Sequence, residues 1–241
     1  MRSTNELTII IPAKNEAKLI GTLLNSLARQ DYPLMPSTKV YLADAGSTDT
    51  TVQIALGFAD RLDVEVIPGG LPAVGRNNGA RRAETSYLLF MDADIEIVDP
   101  TLVRRAVQLM KRKELDCVTT NIRCSGGTFM DRLLYAGNDV MQQLSRLSKP
   151  FSTGMFMLFA SRRFKELGGF HEQALFAEDY MLSKQVARNK FGIVSGYVLT
   201  TNRRFKKMGH FPLVRLFLRT ALNTWNDNFF LRDHKYWESE A

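Results

Sequence analysis

Two aspartates, Asp92 and Asp94, flank Ala93 directly after the apolar run Tyr87–Met91. A carboxylate held beside a buried run is costly without a partner, and a hard divalent cation such as Mg2+ or Mn2+ supplies one. Three other segments carry groups that suit a phosphorylated ligand. In Asp44-Ala45-Gly46-Ser47-Thr48-Asp49, Asp44 can accept hydrogen bonds from a base or ribose, and Gly46 permits close backbone approach. In Pro12-Ala13-Lys14-Asn15-Glu16, the proline reads as the stop of a strand and the polar pair as the opening of a helix. Gly69-Gly70-Leu71-Pro72 then leads to Gly75-Arg76-Asn77-Asn78-Gly79-Ala80-Arg81, which reads as a flexible connection opening a helix with arginines on it. Arginine meets phosphate oxygens through paired donors, and a helix N-terminus adds to the same field. Each segment alone also reads as structure, a capped turn or an acidic pair after a strand.

The elements that must position these groups are legible as alternation. Short apolar or β-branched runs at Leu7–Ile11, Lys39–Ala43, Asp63–Ile67, Tyr87–Met91 and Asp116–Thr119 read as strands. Between them, Leu19, Ile20, Leu23, Leu24, Leu27 and Ala28 mark one helix face, and Leu102, Val103, Ala106, Val107 and Met110 mark another. Ser47 or Thr48 is expected to cap a helix beginning near Asp49, and Asp99-Pro100 to start the helix reaching Lys111. This is the pattern of an α/β fold with a mostly parallel central sheet flanked by helices. In such sheets ligands gather beyond the carboxyl ends of strands, where the four polar segments fall.

Taken in order, the four segments resemble the nucleotide-binding half of the family 2 glycosyltransferases, which have the GT-A fold, a Rossmann-like single domain. The resemblance implies that Pro12, Ala13, Asn15, Glu16 and Asp44 contact the nucleoside of a UDP- or GDP-sugar. It implies that Asp94 holds Mg2+ or Mn2+, with Asp92 at the ribose or as a secondary metal contact beside Ala93. Gly75 and Arg76, in Gly-Arg-Asn, are similar to the segment beside the base or diphosphate.

The resemblance continues into the second half, which looks like an acceptor side. Ser152-Thr153-Gly154, the run Met155–Ala160, Ser161 and Gly168-Gly169-Phe170 are similar in layout to the family's strand, short helix and glycine turn. Glu178-Asp179 follows. In an inverting transferase a carboxylate removes the acceptor hydroxyl's proton during attack on the anomeric carbon, a contribution of roughly 10²–10⁴ in rate. By resemblance Asp179 is that base, and Gly154 and Glu178 belong to acceptor binding. On the residues alone, the pair also reads as the acidic first turn of a helix, and His171 and Glu172 as a surface turn. Thr200-Thr201-Asn202-Arg203-Arg204-Phe205 resembles a segment whose arginines contact the diphosphate, where Arg203 and Arg204 would offset charge on the departing group. Solvated surface charge is the other reading of that pair. His210 is near enough in sequence to be a conceivable metal ligand, and no role is assigned to it.

From residue 210 to 241 the chain reads as a helical tail appended to a catalytic domain, 1–209, whose nucleotide-sugar half is 1–120 and acceptor half 121–209. Leu213, Val214, Phe217, Leu218, Ala221, Leu222 and Trp225 form one stripe, with Arg215 and Arg219 on other faces. Such a helix either packs on the domain or lies in an anionic membrane interface. Phe229, Phe230, Tyr236 and Trp237 add aromatic anchors or core cover.

Composition narrows the class. At 241 residues, 45% hydrophobic and 24% charged, the chain can bury a sizeable core and is not of disordered composition. The net charge of +7 points to an anionic partner, and the absence of any helix-turn-helix, zinc-finger or aromatic-basic sheet signature argues against nucleic acid. No apolar run approaches the roughly 20 residues of a bilayer-spanning helix. The opening Met-Arg-Ser-Thr-Asn-Glu lacks a signal-peptide core, and Cys117 and Cys124 are expected to stay reduced. A cytoplasmic protein, peripheral at most on the membrane's cytoplasmic face, is the expectation. Two rival functions fit parts of the pattern. A nucleotidyltransferase should carry a glycine-rich phosphate loop after the first strand, which Pro12–Glu16 lacks. A non-catalytic nucleotide-sugar- or membrane-binding protein of the same fold would not need the carboxylate set.

Overall fold

The computed structural model describes residues 5–232 and 234. Eight strands form one mixed sheet: β1 (Leu7–Ala13), β2 (Lys39–Asp44), β3 (Asp63–Pro68), β4 (Tyr87–Phe90), β5 (Ile95–Glu96), β6 (Cys117–Cys124), β7 (Met157–Ala160) and β8 (Phe191–Thr200). Their order is β3-β2-β1-β4-β7-β6-β8-β5. The first four in that order run parallel, as do β6 and β8, while β7 is antiparallel to both β4 and β6, and β5 is antiparallel to β8.

The strands alternate as a sheet covered on both sides requires. Ile9, Ile11, Leu42 and Leu89 join one core with α1 (Ile20–Ala28) and α4 (Leu102–Lys113). Ile10, Ala43, Leu88 and Phe90 join the other with α3 (Pro72–Arg82) and Phe164 of α6 (Ser161–Glu166). Both predicted helix stripes are buried at Ile20, Leu23, Leu24 and Leu27 and at Leu102, Val103, Ala106, Val107 and Met110.

Three local expectations change. Pro12 does not stop β1, which pairs with β2 through Pro12↔Ala43 and Ala13↔Asp44. Successive residues of a central parallel strand direct their backbone groups to alternate neighbours. Ile10 O accepts from Met91 N on the β4 side and Ala13 O accepts from Ala45 N on the β2 side, so Pro12 turns its missing N–H toward the side where β4 has ended. Neither Ser47 nor Thr48 caps α2 (Thr51–Leu56); Asp49 Oδ1 accepts from Thr51 N at 3.0 Å instead. The residues Gly75–Arg81 lie inside α3, which starts at Pro72. Its glycines are packing points: a Cβ on Gly79 would sit 2.6 Å from Ile10 Cγ2, and one on Gly75 3.1 Å from Ala43 Cβ. Helix α3 therefore lies unusually close to the sheet.

The remaining helices are α5 (Phe129–Ser145), α7 (Glu178–Ser183), α8 (Arg203–Met208), α9 (His210–Leu222) and α10 (Asp227–Phe230). The expected strand, short helix and glycine turn appear as β7, α6 and the left-handed Gly168 (φ 81°) and Gly169 (φ 75°). The tail stripe is divided. Leu213 and Leu216 are buried, while Phe217, Leu218, Leu222 and Trp225 are exposed. Leu216, Phe229 and Phe230 pack on Phe176, Tyr180 and Met181 around α7. The side chain of Ala221, and Tyr236 and Trp237, lie outside the described residues. Cys117 and Cys124 are free thiols at opposite ends of β6. Among the described residues no helix is long and apolar enough to cross a membrane.

Candidate active site

A cleft of about 510 Å³ opens beyond the carboxyl ends of β1, β2 and β4. Pro12, Ala13, Lys14, Glu16 and Ala45 line one side, Gly70, Leu71 and Pro72 another, Asp92, Ala93 and Asp94 a third, and Arg203 and Arg204 close it. Chain segments far apart in sequence thus converge where the sheet topology predicts a ligand.

The electrostatics are concentrated at Asp94. Burial, then the neighbouring Asp92 and Glu16 carboxylates, push its carboxyl up to about 6 against the opposing pull of Arg203 and Arg204. Arg203 donates to Glu16 through both terminal nitrogens, at 2.7 and 3.1 Å, and its Nη2 lies 3.6 Å from Asp94 Oδ2. Three acidic groups and two arginines therefore face one another across the cleft. A divalent cation would relieve the first set, and a diphosphate would complement the second.

Arg76 has a different place from the expected one. It does not line the cleft; its side chain is 2% exposed. Nη2 donates to Asp92 Oδ1 and Nη1 to Glu178 Oε1, each at 2.5 Å, with the Phe170 ring centroid 5.2 Å from the guanidinium carbon. Glu178, expected near an acceptor, is likewise buried and committed to this pair. The reason is the close approach of α3, which drives a long cation from its inner face under the strand ends. There, only carboxylates can compensate its charge.

Asp179 sits beside that pair on α7. Its Oδ2 accepts from Gly154 N and its Oδ1 from Tyr180 N, each at 2.7 Å. Burial, then Glu178, push its carboxyl up to about 7, while Arg76 holds it down. A Cβ on Gly154 would collide with Arg76 Nη2, so glycine there lets the N–H reach Asp179 past the guanidinium. Ala177, immediately before α7, is left-handed at φ 53°, a conformation that costs a non-glycine residue about 1–2 kcal/mol. The turn that presents Glu178 and Asp179 is thus held by its surroundings rather than by its own preference.

The family model for glycosyl transferase family 2 matches residues 8–168. The chain belongs to that family. It is similar to the poly(ribitol-phosphate) beta-N-acetylglucosaminyltransferase TarS of Staphylococcus aureus, with 37% identity over 99 residues covering 39% of this chain and 17% of that protein. It is also similar to a PGL/p-HBAD biosynthesis glycosyltransferase of Mycobacterium bovis, with 34% identity covering 54% of this chain and 55% of that one. The chain thus spans less than two thirds of either relative. Among solved structures, the mannosyltransferase PcManGT from Pyrobaculum calidifontis, in complex with GDP-Man and Mn2+, superposes with a TM-score of 0.67 at 20% identity, covering 90% of this chain and 64% of that one. TarS in complex with UDP-GlcNAc gives 0.64 at 22% identity, covering 82% and 58%. These likenesses show the fold, which is of the GT-A type.

For a family 2 chain the donor set in the cleft fits a divalent ion held by few protein ligands. Among the described residues no three His, Cys, Asp or Glu side chains converge on one point, so Asp94, with Asp92, would supply the protein's share and the ligand's phosphates the remainder. His210 is placed elsewhere, its Nε2 2.6 Å from Oδ1 of the buried Asp131, whose Oδ2 accepts from Asn202 Nδ2 at 3.0 Å. Two expected nucleoside contacts also organise the walls. Asn15, left-handed at φ 54°, receives Thr48 N on its Oδ1 at 2.8 Å and donates its own N–H to Ser47 Oγ at 2.9 Å, clasping the loops after β1 and β2. Asp44 Oδ2 accepts from Gly46 N and Ser47 N, while its buried Oδ1 takes no hydrogen bond among the described residues. Glu172 accepts from Asn77 and Arg81, fastening the glycine turn to α3.

Sequence reasoning missed Lys14, Ala45, Gly70, Leu71 and Pro72 as cleft lining. Lys14 and Ala45 lie within motifs already singled out, and adjacency was the signal for them. Asp49 does more than mark where a helix begins. Its spacing from Thr51, whose N–H and hydroxyl it accepts, marks it as the organiser of that turn.

Proposed function

We propose that this chain moves a hexosyl unit from a UDP- or GDP-sugar to an acceptor hydroxyl, with a divalent metal and with inversion at the anomeric carbon. The observation that carries the reading is Asp94, a carboxyl raised to about 6 that faces Arg203 across a cleft also lined by Arg204 and Asp92. The nucleoside diphosphate would lie along Pro12, Ala13 and Glu16, with the orphan Oδ1 of Asp44 accepting from base or ribose. Bound Mg2+ or Mn2+ would offset the charge on the diphosphate from the Asp94 side, and Arg203 and Arg204 would do so from the other. The complexes of similar folds with UDP-GlcNAc and with GDP-Man and Mn2+ support this donor class.

Asp179 is the proposed base. Its carboxyl is raised by burial and by Glu178 toward neutral pH, which suits a group that takes up a proton and releases it. It removes the acceptor proton as the acceptor oxygen bonds to the anomeric carbon. The bond from that carbon to the diphosphate oxygen breaks, and its electron pair leaves on the nucleoside diphosphate. Arg76 acts through others: it fixes Asp92 at the donor end and Glu178 beside the base. The exposed apolar residues of α9 support an acceptor carried by a lipid, used at the cytoplasmic face of a membrane by a catalytic unit of residues 1–209.

A panel of UDP- and GDP-sugars, assayed with Mn2+ or Mg2+ and with extracted lipids as acceptors, tests the reading. Release of UDP or GDP that depends on metal and on one donor is expected. Donor binding with neither hydrolysis nor transfer would assign the chain instead to a non-catalytic nucleotide-sugar-binding role.

A further inference from the structure

Helix α5 is amphipathic in the wrong direction for a soluble surface helix. Apart from Tyr135, whose ring packs on the core and on Phe205, its inner face is polar: Asp131 and Gln142 are buried, Asp131 with His210 and Asn202, Gln142 with its Nε2 3.3 Å from Thr119 Oγ1, and Asp139 accepts from Ile122 N at 2.9 Å. Its outer face carries Phe129, Leu133, Val140 and Leu144 at helical spacing, and Leu147 just beyond its end, between 52% and 74% exposed. A globular helix normally turns such a stripe to the core.

Helix α9 is tied to α5 near both ends. His210 at its start bonds Asp131 in the first turn of α5, and beyond its end the Trp225 ring lies 5.1 Å from Nζ of Lys149, which follows α5. Phe211, Leu218, Leu222 and Trp225 are also exposed, between 62% and 79%. Each helix thus presents an exposed apolar ridge, beyond the scattered apolar residues usual on a surface.

Charge selects the occupant. Arg132, Arg146, Lys206, Lys207, Arg215 and Arg219 are exposed on α5, α8 and α9 or at their ends, residues 203–226 contain no Asp or Glu, and both acids of α5 are engaged inward. A second copy meeting this face would set like charges against each other. An anionic bilayer instead accepts the ridge between its headgroups and pairs with the flanking cations, each worth about 1 kcal/mol near such a surface. We propose that the outer faces of α5 and α9 together form the surface by which the protein docks on anionic phospholipid membranes. This deepens the membrane setting of the function proposed above and rests on that reading for its lipid acceptor, while the docking face itself is argued from the surface alone.

The test is flotation of the full chain with phosphatidylcholine vesicles with or without phosphatidylglycerol, wild type against L133Q/V140Q/L144Q and against R215Q/R219Q. Wild type should float with the anionic vesicles only. The α5 variant should bind them about tenfold or more weakly while keeping the wild-type melting temperature and nucleotide-sugar binding, and R215Q/R219Q should bind less and with a weaker dependence on salt. Equal flotation of wild type and the α5 variant, binding to uncharged vesicles as strong as to anionic ones, or no flotation would overturn the proposal. So would self-association in light scattering that the α5 substitutions abolish, which would assign the ridge to a second copy. Loss of vesicle binding with unchanged donor turnover separates the docking face from the catalytic reading.

Discussion

Replacing Arg76 by methionine keeps most of the side-chain length and removes the charge that Asp92 and Glu178 share. The two pairs differ in consequence. Asp92 is 30% exposed and can recover water, whereas Glu178 is 6% exposed and would be left as an anion with no cation beside it. Breaking a buried pair by removing one partner costs about 3–5 kcal/mol, most of it the stranded charge. In a chain of this size each kcal/mol moves the midpoint by about 2–4 °C, so the melting temperature should fall by about 6–20 °C in calorimetry at neutral pH. Neutralising the stranded group should restore much of the loss, so R76M/E178Q should melt above R76M. Arg76 also holds the Asp179 carboxyl down. Without it that carboxyl rises further, and if Asp179 is the base proposed above, which must work ionised, the acid limb of the rate profile should move to higher pH. A fall of less than about 2 °C for R76M, or a double variant that melts lower still, would refute the assignment of Arg76 as the cation linking both acids.

Asp94→Asn should weaken Mn2+ binding in the presence of donor by about tenfold or more in an electron paramagnetic resonance titration, and the wild type should itself bind Mn2+ less well as pH falls through about 6, where protons compete for Asp94. Asp179→Asn should leave donor affinity intact and slow transfer by about 10²–10⁴-fold, and turnover at the wild-type rate would remove Asp179 from the reaction. The same variant has a stability signature: the raised carboxyl contributes stability that is complete below its unfolded value of about 3.9 and is lost as pH rises through about 7, so the melting temperature of Asp179→Asn relative to wild type should increase from pH 4 to pH 8. Gly79→Ala should cost about 1–3 kcal/mol in denaturant unfolding, because the new methyl meets Ile10 in a covered sheet, and an unchanged midpoint would mean that α3 does not pack as described.

The parallel strands and the segments beyond their ends were legible because buried parallel strands read as uninterrupted apolar runs and the sheet topology then dictates where polar groups gather. Arg76 and Glu178 were misplaced for the opposite reason. A charged residue on a helix defaults to solvent or ligand in any reading by type, and their burial depends on a contact between residues in different halves of the chain. Asn15 has the same lesson on a smaller scale: its motif position was informative, but whether its amide faces a ligand or the neighbouring loop is set by the left-handed turn at that residue. Helix α5 shows where periodicity stops helping. Its apolar spacing is as regular as that of α4, and only the assembled fold reveals that the stripe faces outward.

The shortest strand has a consequence out of proportion to its length. Strand β5 pairs with the end of β8 by just two residues, Ile95↔Thr200 and Glu96↔Leu199. Asp94 immediately precedes that pairing and Arg203 follows it within one turn, so this small ladder sets the phase between the acidic and the basic walls of the cleft. Loops elsewhere between residues 97 and 190 could lengthen without altering that phase. A single residue gained or lost between Thr200 and Arg203 would swing the arginines to another bearing while leaving the sheet intact. Variation among related chains should therefore be free in total length and strict in this one short count, so that the surrounding loops can be remodelled without disturbing how the acidic and basic walls face each other.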